Sequence, residues 1–327
     1  KIGLSGCSPC ADVFQALPKT ISTPEGELGK LVTLAFDKLF VGGSIDVFDD
    51  IGKVRLPDLD DYMEGRSFLR SYEGYLAKGV SCVSTYDVEE EIADLVESCF
   101  EEPDVVFAEA VELSGRKSFH DYIESPAGFF SYHFQSFSKS RRKAPIYWPL
   151  STSSGTYTLW LYYHDLTDQT LFTAVNDFVE PKLKQVDSEM ANLRLAGASR
   201  SRAEEKRLEE LSDFRDELAD LRDTLLKIAP DFKPHHDDGV QITAAPLWPL
   251  FRHRPWQNVL RDTWERLEQG DYDWAHLAMA YWPERVREKC ATDKSLAIAH
   301  DLEHLYVEPE PAPKKARGRK KNTGSGE

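Results

Sequence analysis

A helix-rich α+β fold is the class this sequence predicts, and three observations predict it. Residues 181–228 carry two apolar runs spaced by three and four: Leu183, Val186, Met190 and Leu193, then Leu211, Phe214, Leu218, Leu221, Leu225 and Ile228. Dense charge lies between those positions, the pattern of helices that pair along one seam. Residues 146–163 are aromatic and β-prone, and Ser153-Ser154-Gly155 interrupts them as a strand pair with a turn requires. Trp248, Trp256, Trp264, Trp274 and Trp282 put five of the seven tryptophans in one C-terminal region. The expected order is a mixed α/β region over 88–180, a long antiparallel helical hairpin over 181–229 and a small all-α, tryptophan-rich cap over 230–308. Residues 1–87 read poorly as elements, and the Pro/Lys/Arg/Gly composition of 309–327 reads as a disordered basic tail.

Taken in order, 28–40 reads as a short helix stopped by Gly42-Gly43. Val88, Ile92, Leu95, Val96 and Cys99 give helical spacing over 88–100. Further helices are expected over 105–113, ending at Gly115, and over 118–124, before Pro126. Phe129, Phe130, Tyr132, His133, Phe134 and Phe137 then crowd together. They read as a buried cluster under the sheet, with stacking on unpaired bases as the alternative. After the strand pair, Asp165 to Asp168 are expected to start a long helix. The break Gly197-Ala198-Ser199-Arg200-Ser201 sets the hairpin tip, and the arm reads as a coiled-coil spacer. Beyond it, Asp237-Asp238-Gly239 reads as a turn before a short strand over 240–242. Helices follow over a face of Leu260, Trp264 and Leu267 closed by Gly270, over 272–281, and over 284–289.

The net charge is −16, from 40 Lys and Arg against 56 Asp and Glu. Such a body repels nucleic acid except where its cations are gathered. Two places gather them: Lys139, Arg141, Arg142 and Lys143, and the tail from Lys314 to Lys321. Lys139, Ser140, Arg141, Arg142 and Lys143 are therefore the candidate DNA-binding residues. Arg194, Arg200 and Arg202 at the hairpin tip read as solvated charge. No run of about 18 apolar residues exists, so no membrane partner is expected. Five cysteines, Cys7, Cys10, Cys82, Cys99 and Cys290, are sparse and odd in number, which argues for reduced thiols and a cytoplasmic setting. The chain opens on Lys1 without a signal-peptide pattern and reads as a piece of a longer or processed protein.

No constellation of catalytic residues stands out. Cys7-Ser8-Pro9-Cys10 is a lone CxxC with no second pair at zinc-site spacing. A metal-dependent nuclease reading of the acidic turn at 57–61 fails because Glu180-Pro181-Lys182 falls in a helix and not on a strand. His235, His236, Asp237 and Asp238 are metal-ligand types, but adjacent side chains diverge and no partner stands four residues away. No GxxxxGK(S/T), GxGxxG or GxSxG is present, and no two prolines are consecutive, so an Asn-Pro-Pro-Tyr turn is absent. No metal and no cofactor is expected in this chain.

The stretch IYWPLSTSSGTYTLWLYYHDL resembles the C-terminal half of adenine-specific DNA methyltransferases of the BREX phage-defence type (PglX-like). That family shows a basic-Pro-Ile-(Tyr/Phe)-Trp strand, a Ser-rich turn with Gly, and a second strand ending in aliphatic-Tyr-x-His. Here these are Lys143, Pro145, Ile146, Tyr147 and Trp148, then Ser151 to Gly155, then Leu161, Tyr162, Tyr163 and His164. SPAGFFSYHFQSFSKSRRKAP, NDFVEPKL, DDGVQITAAPL and WPERVREKCATDKSLAIAHDLEHLY are similar to further blocks of such chains, so the likeness runs over about 88–306. It implies that 88–180 is a target-recognition region and 181–229 its spacer, within a restriction-modification or phage-defence protein. S-adenosylmethionine and the Asn-Pro-Pro-Tyr turn would belong to a catalytic domain outside this chain. Double-stranded DNA and other defence-system subunits are the implied partners. The rival expectation is an acidic coiled-coil protein-interaction scaffold that binds no DNA; a third is an inert remnant of a disrupted gene.

Overall fold

At the centre lies a three-stranded antiparallel sheet in the order β1-β5-β4, where β1 is Cys82–Ser84, β4 Tyr147–Ser151 and β5 Thr158–Tyr162. The protein is described here by a computed structural model over residues 24–40, 81–99, 103–139, 142–195, 197, 200–271 and 276–308. Every residue of β4 is buried, which explains why YWPLS is apolar at nearly every position and does not alternate. Its Pro149 pairs with Trp160 in an edge strand, the place where a residue without an N–H is tolerated.

Partners across β4 and β5 share a face. Tyr147 opposes Tyr162, Pro149 opposes Trp160, and Ser151 opposes Thr158. That face is covered by α1 (Pro24–Phe40), whose Phe36 stands 4.8 Å from both the Tyr147 and the Trp160 ring. The helices α2 (Thr85–Cys99), α3 (Pro103–Ser114), α4 (Phe119–Glu124) and α5 (Phe129–Ser136) follow β1. Gly128, just before α5, passes so close to the chain that a Cβ there would meet the Tyr122 carbonyl oxygen at 1.9 Å. Only glycine allows that approach. On the other face, Trp148 meets Tyr163 and Phe251.

A helical stretch then runs from 170 to 195. It comprises α6 (Thr170–Thr173), a π-helical segment Ala174–Val179 and α7 (Glu180–Leu195). Pro181 gives the reason: it has no N–H for the carbonyl four residues back, and its ring crowds that carbonyl. The backbone widens, and Glu180 N donates to Val175 O, five residues back. Residues 165–168 do not start this helix as expected, because Tyr163–Asp165 is a 3₁₀ turn and Thr170 Oγ1 accepts from Thr167 N.

The 27-residue α8 (Arg202–Ile228) opens on a capping box, in which Ser201 and Glu204 satisfy each other's backbone N–H groups. Ion pairs Arg207–Glu189, Arg215–Asp187 and Arg222–Glu180 run in opposite sequence directions, so α7 and α8 lie antiparallel. Leu183, Val186 and Met190 face Leu211, Leu218, Leu221 and Leu225 across a buried seam, and all belong to the same apolar cluster as the sheet. Exposed pairs of this kind add only about 0.2–1 kcal/mol each. The buried leucines therefore hold the pair.

The expected strand over 240–242 is not formed; Gly239–Ala244 is a helix, α9. Thr243 Oγ1 bonds the Gly239 carbonyl one turn back, and Gly239 itself has φ +79°, which breaks any extended entry into the segment. The run VQIT is too short to decide its own structure, and burial of Thr243 and Ala244 against the core decides it. Then come α10 (Arg254–Gln269), α11 (His276–Tyr281), α12 (Pro283–Cys290) and α13 (Lys294–Ala299). Helix α10 ends on Gly270 at φ +85°, the left-handed position that favours glycine at a helix C-terminus.

The tryptophans do not share one core. Trp256 is fully buried in the cluster around the sheet, together with Phe251 and Leu260. A second, smaller cluster consists of Ala245, Leu267, Ala278, Val286, Cys290, Leu296 and Ala297, with Trp264 and Trp282 half-buried at its rim. Trp274 lies outside the described residues. No helix among the described residues is long and apolar enough to cross a membrane.

Candidate nucleic-acid interface

The basic cluster falls on a two-stranded ribbon, β2 (Ser138–Lys139) with β3 (Arg142–Lys143). Ser138 pairs with Lys143 and Lys139 with Arg142, which leaves positions 140 and 141 to connect them. Ser140 and Arg141 lie outside the described residues. The backbone register thus pairs two cationic residue types, Lys139 and Arg142. Lys143 Nζ lies over the Phe134 ring at 5.3 Å, a cation–π contact that ties the base of the ribbon to α5. Cys7, Cys10, the acidic turn at 57–61 and the basic tail from Lys314 lie outside the described residues.

The ribbon is fixed from below by α5 and its aromatic rings. Phe137 N donates to His133 O, Ala144 N to Phe137 O at 3.2 Å, and Ser138 Oγ to Phe134 O. His133 is the pivot. Its Nε2 accepts from Ile146 N at 3.0 Å and Tyr147 N at 3.1 Å, so the ring clasps the exit of the ribbon to the start of β4. A nitrogen that accepts two N–H groups carries no proton, and full burial pushes the His133 pKa down to about 3. Phe129, Phe130 and Phe134 are buried, so the aromatic cluster is core; Phe137 alone is 38% exposed. Tyr147, next to His133, donates its hydroxyl to Asp37, whose carboxyl burial pushes up to about 6.

The turn between β4 and β5 is tied to two other segments. Ser154 N donates to Glu217 Oε2 of α8 at 3.2 Å. Arg252 spreads its guanidinium over three carbonyls: Nε to Thr152 at 2.6 Å, Nη2 to Ser151 at 2.9 Å and Nη1 to Pro249 at 3.0 Å. That fork is specific to arginine, because an ammonium is a point donor. Arg252→Lys is expected to lower stability by about 2 kcal/mol, since bonds from a charged donor contribute about 1.5–3 kcal/mol each and part of the set survives. Chemical denaturation checks this; a change below about 0.5 kcal/mol would mean the fork is dispensable.

The residues at 235–238 have structural work. His236 Nε2 meets Tyr163 O at 3.0 Å, Tyr163 donates its hydroxyl to His236 O, and Asp238 accepts from His276 N and Leu277 N. His236 and Asp238 are thus turned away to backbone partners, but His235 and Asp237 are not: their Nδ1 and Oδ2 lie 4.0 Å apart, against the expectation that neighbours here diverge. What sequence reasoning missed is His276, whose ring stacks on His235 at 4.2 Å from 41 positions away. No spacing rule reaches across that distance; the only signal was a histidine near a helix start. Arg252 and His133 were missed as anchors for the same reason, since their partners are backbone groups.

Glu180 and Lys182 are also occupied in helical roles, Glu180 with Arg222 and Lys182 over the Tyr86 ring at 4.9 Å. They form no carboxylate–lysine pair on a strand. No family model matches this chain, and no curated protein matches it.

Proposed function

We propose that this chain is the DNA target-recognition and spacer portion of an adenine-specific DNA methyltransferase of a phage-defence or restriction-modification system. The observation that carries the reading is the ribbon: four of five consecutive residues are basic, on an otherwise acidic protein, at the end of a hairpin braced by buried rings. A two-stranded ribbon fits a DNA groove, and the cations of 139–143 would meet phosphate or a guanine edge. The acidic remainder disfavours other orientations, so the duplex would approach from the ribbon's side. The resemblance of 88–306 to the BREX-type enzymes supports the same assignment, with S-adenosylmethionine held by a catalytic domain elsewhere and none bound here. The paired helices α7 and α8 would then set the distance between the recognition region and its neighbours.

The test is duplex binding by the full chain and by Arg141→Ala/Arg142→Ala. At about 0.1 M salt the double variant is expected to bind at least roughly 10-fold more weakly, as loss of two phosphate contacts requires. Equal affinity would remove the ribbon from the interface. A protein-interaction scaffold is the second reading, favoured by Leu195, 84% exposed at the end of α7. Under that reading neither protein binds duplex.

A further inference from the structure

We propose that His235, Asp237 and His276 form a binding site for a divalent transition-metal ion of the zinc class. One ligand atom from each lies within 4.8 Å of the other two. The His235 Nδ1 to Asp237 Oδ2 separation is 4.0 Å. Ligands at zinc distances of about 2.0–2.1 Å stand roughly 3.3 Å apart in a tetrahedron, so this pair must close by about 0.7 Å and no pair by more than about 1.5 Å. Asp237 can close its own gap, because its side chain is 82% exposed, and the His235 and His276 rings, stacked at 4.2 Å and 19°, must rotate so that their in-plane lone pairs meet on the ion.

The ligands come from two segments that the fold locks together. The 3₁₀ turn His236–Asp238 is held to the end of β5 by the reciprocal bonds between Tyr163 and His236. The Thr243 hydroxyl, whose one proton is shared between Gly239 O at 2.9 Å and His235 O at 3.2 Å, sits against the next residue back. Asp238 then grips His276 N and Leu277 N at 2.5 and 2.7 Å, so the start of α11 cannot drift from the turn. Tyr163, Thr243 and Asp238 thus hold the backbone that carries both histidines without touching the candidate ion. His300 brings another imidazole to the same corner: it meets His276 edge-on at 5.4 Å, and its Nε2 is buried without a hydrogen-bond partner.

The donor set names the ion class. Two imidazoles and a carboxylate suit zinc, cobalt or nickel, whereas calcium and magnesium favour all-oxygen shells. Three protein ligands leave a position open to water or to an anionic group. The set is also independent of the basic ribbon, so it stands whether or not the chain binds DNA.

Cobalt(II) and zinc chloride are the probes, titrated into the full chain carrying Cys7→Ser and Cys10→Ser so that the CxxC cannot contribute. One equivalent of cobalt should bind and give visible absorption. Asp237→Asn and His276→Ala should each weaken binding at least ~10-fold, the scale seen even for outer-shell changes. Zinc should raise the melting temperature of the parent more than that of either variant. Asp237→Asn changes an exposed side chain and keeps the fold; His276→Ala keeps the backbone N–H that Asp238 grips. Affinity unchanged in both variants, or no equivalent bound by the parent, overturns the site.

Discussion

Trp160→Ala will lower the free energy of unfolding by about 3–5 kcal/mol, the cost of emptying a buried aromatic site. Trp160 is fully buried in β5, the strand hydrogen-bonded on both edges. Its indole packs against Phe36 of α1 at 4.8 Å and Phe129 of α5 at 5.7 Å, so one side chain joins the sheet to both helices. Its Nε1–H donates to Thr85 Oγ1 at 3.3 Å, and Thr85 in turn donates to Thr158 O. Truncation therefore leaves a cavity and removes a buried donor at once. Urea denaturation should show a lower midpoint with an unchanged slope, and Trp160→Phe should lose less. A loss under about 1 kcal/mol for alanine would mean that the sheet is not the centre of the core.

Acid should weaken the protein through His133. For this base the folded pKa, about 3, lies below the unfolded value of 6.5. Above 6.5 neither state binds a proton there and the full stability is present. As pH falls below 6.5 the unfolded chain takes up a proton that the folded one refuses, and stability is lost until about pH 3. The gap corresponds to about 5 kcal/mol in all, of which about 2 kcal/mol should be gone between pH 6.5 and 4.5. Asp37, raised to about 6 by burial, works in the opposite direction over the interval from 3.8 to 6. The readout is therefore the difference between wild type and His133→Gln, whose amide oxygen can still accept from Ile146 N and Tyr147 N. Parallel pH profiles for the two proteins would contradict the neutral, doubly accepting imidazole.

The helices were legible because their signals are local. Leu183, Val186, Met190, Leu211, Leu218, Leu221 and Leu225 bury at the positions their spacing implies, with Phe214 only partly buried, and Gly270 caps the helix it was expected to close. The strand pair was legible from YWPLS and TLWLY around a Ser/Gly turn. The third strand was not, since Cys82–Ser84 is three residues long and its partner lies nearly 80 positions away. The segment at 240–242 misled because β-branched Val240 and Ile242 alternate over too few residues to outweigh burial. At the candidate interface, the cations and the aromatic block were visible as types. Their arrangement was not: His133 clasping two N–H groups, Lys143 turned over Phe134, and Arg252 spread over three carbonyls are contacts with backbone or rings. Nothing in residue spacing encodes them.

The central claim is that the 139–143 ribbon contacts the phosphates of duplex DNA, and salt titration tests it most directly. Each phosphate contact contributes about −0.9 to the slope of log affinity against log salt. Wild type should bind duplex with a slope of roughly −2 to −4, and Arg141→Ala/Arg142→Ala should be shallower by about 1.8. Identical slopes for the two proteins, or no duplex binding at low salt, would contradict it.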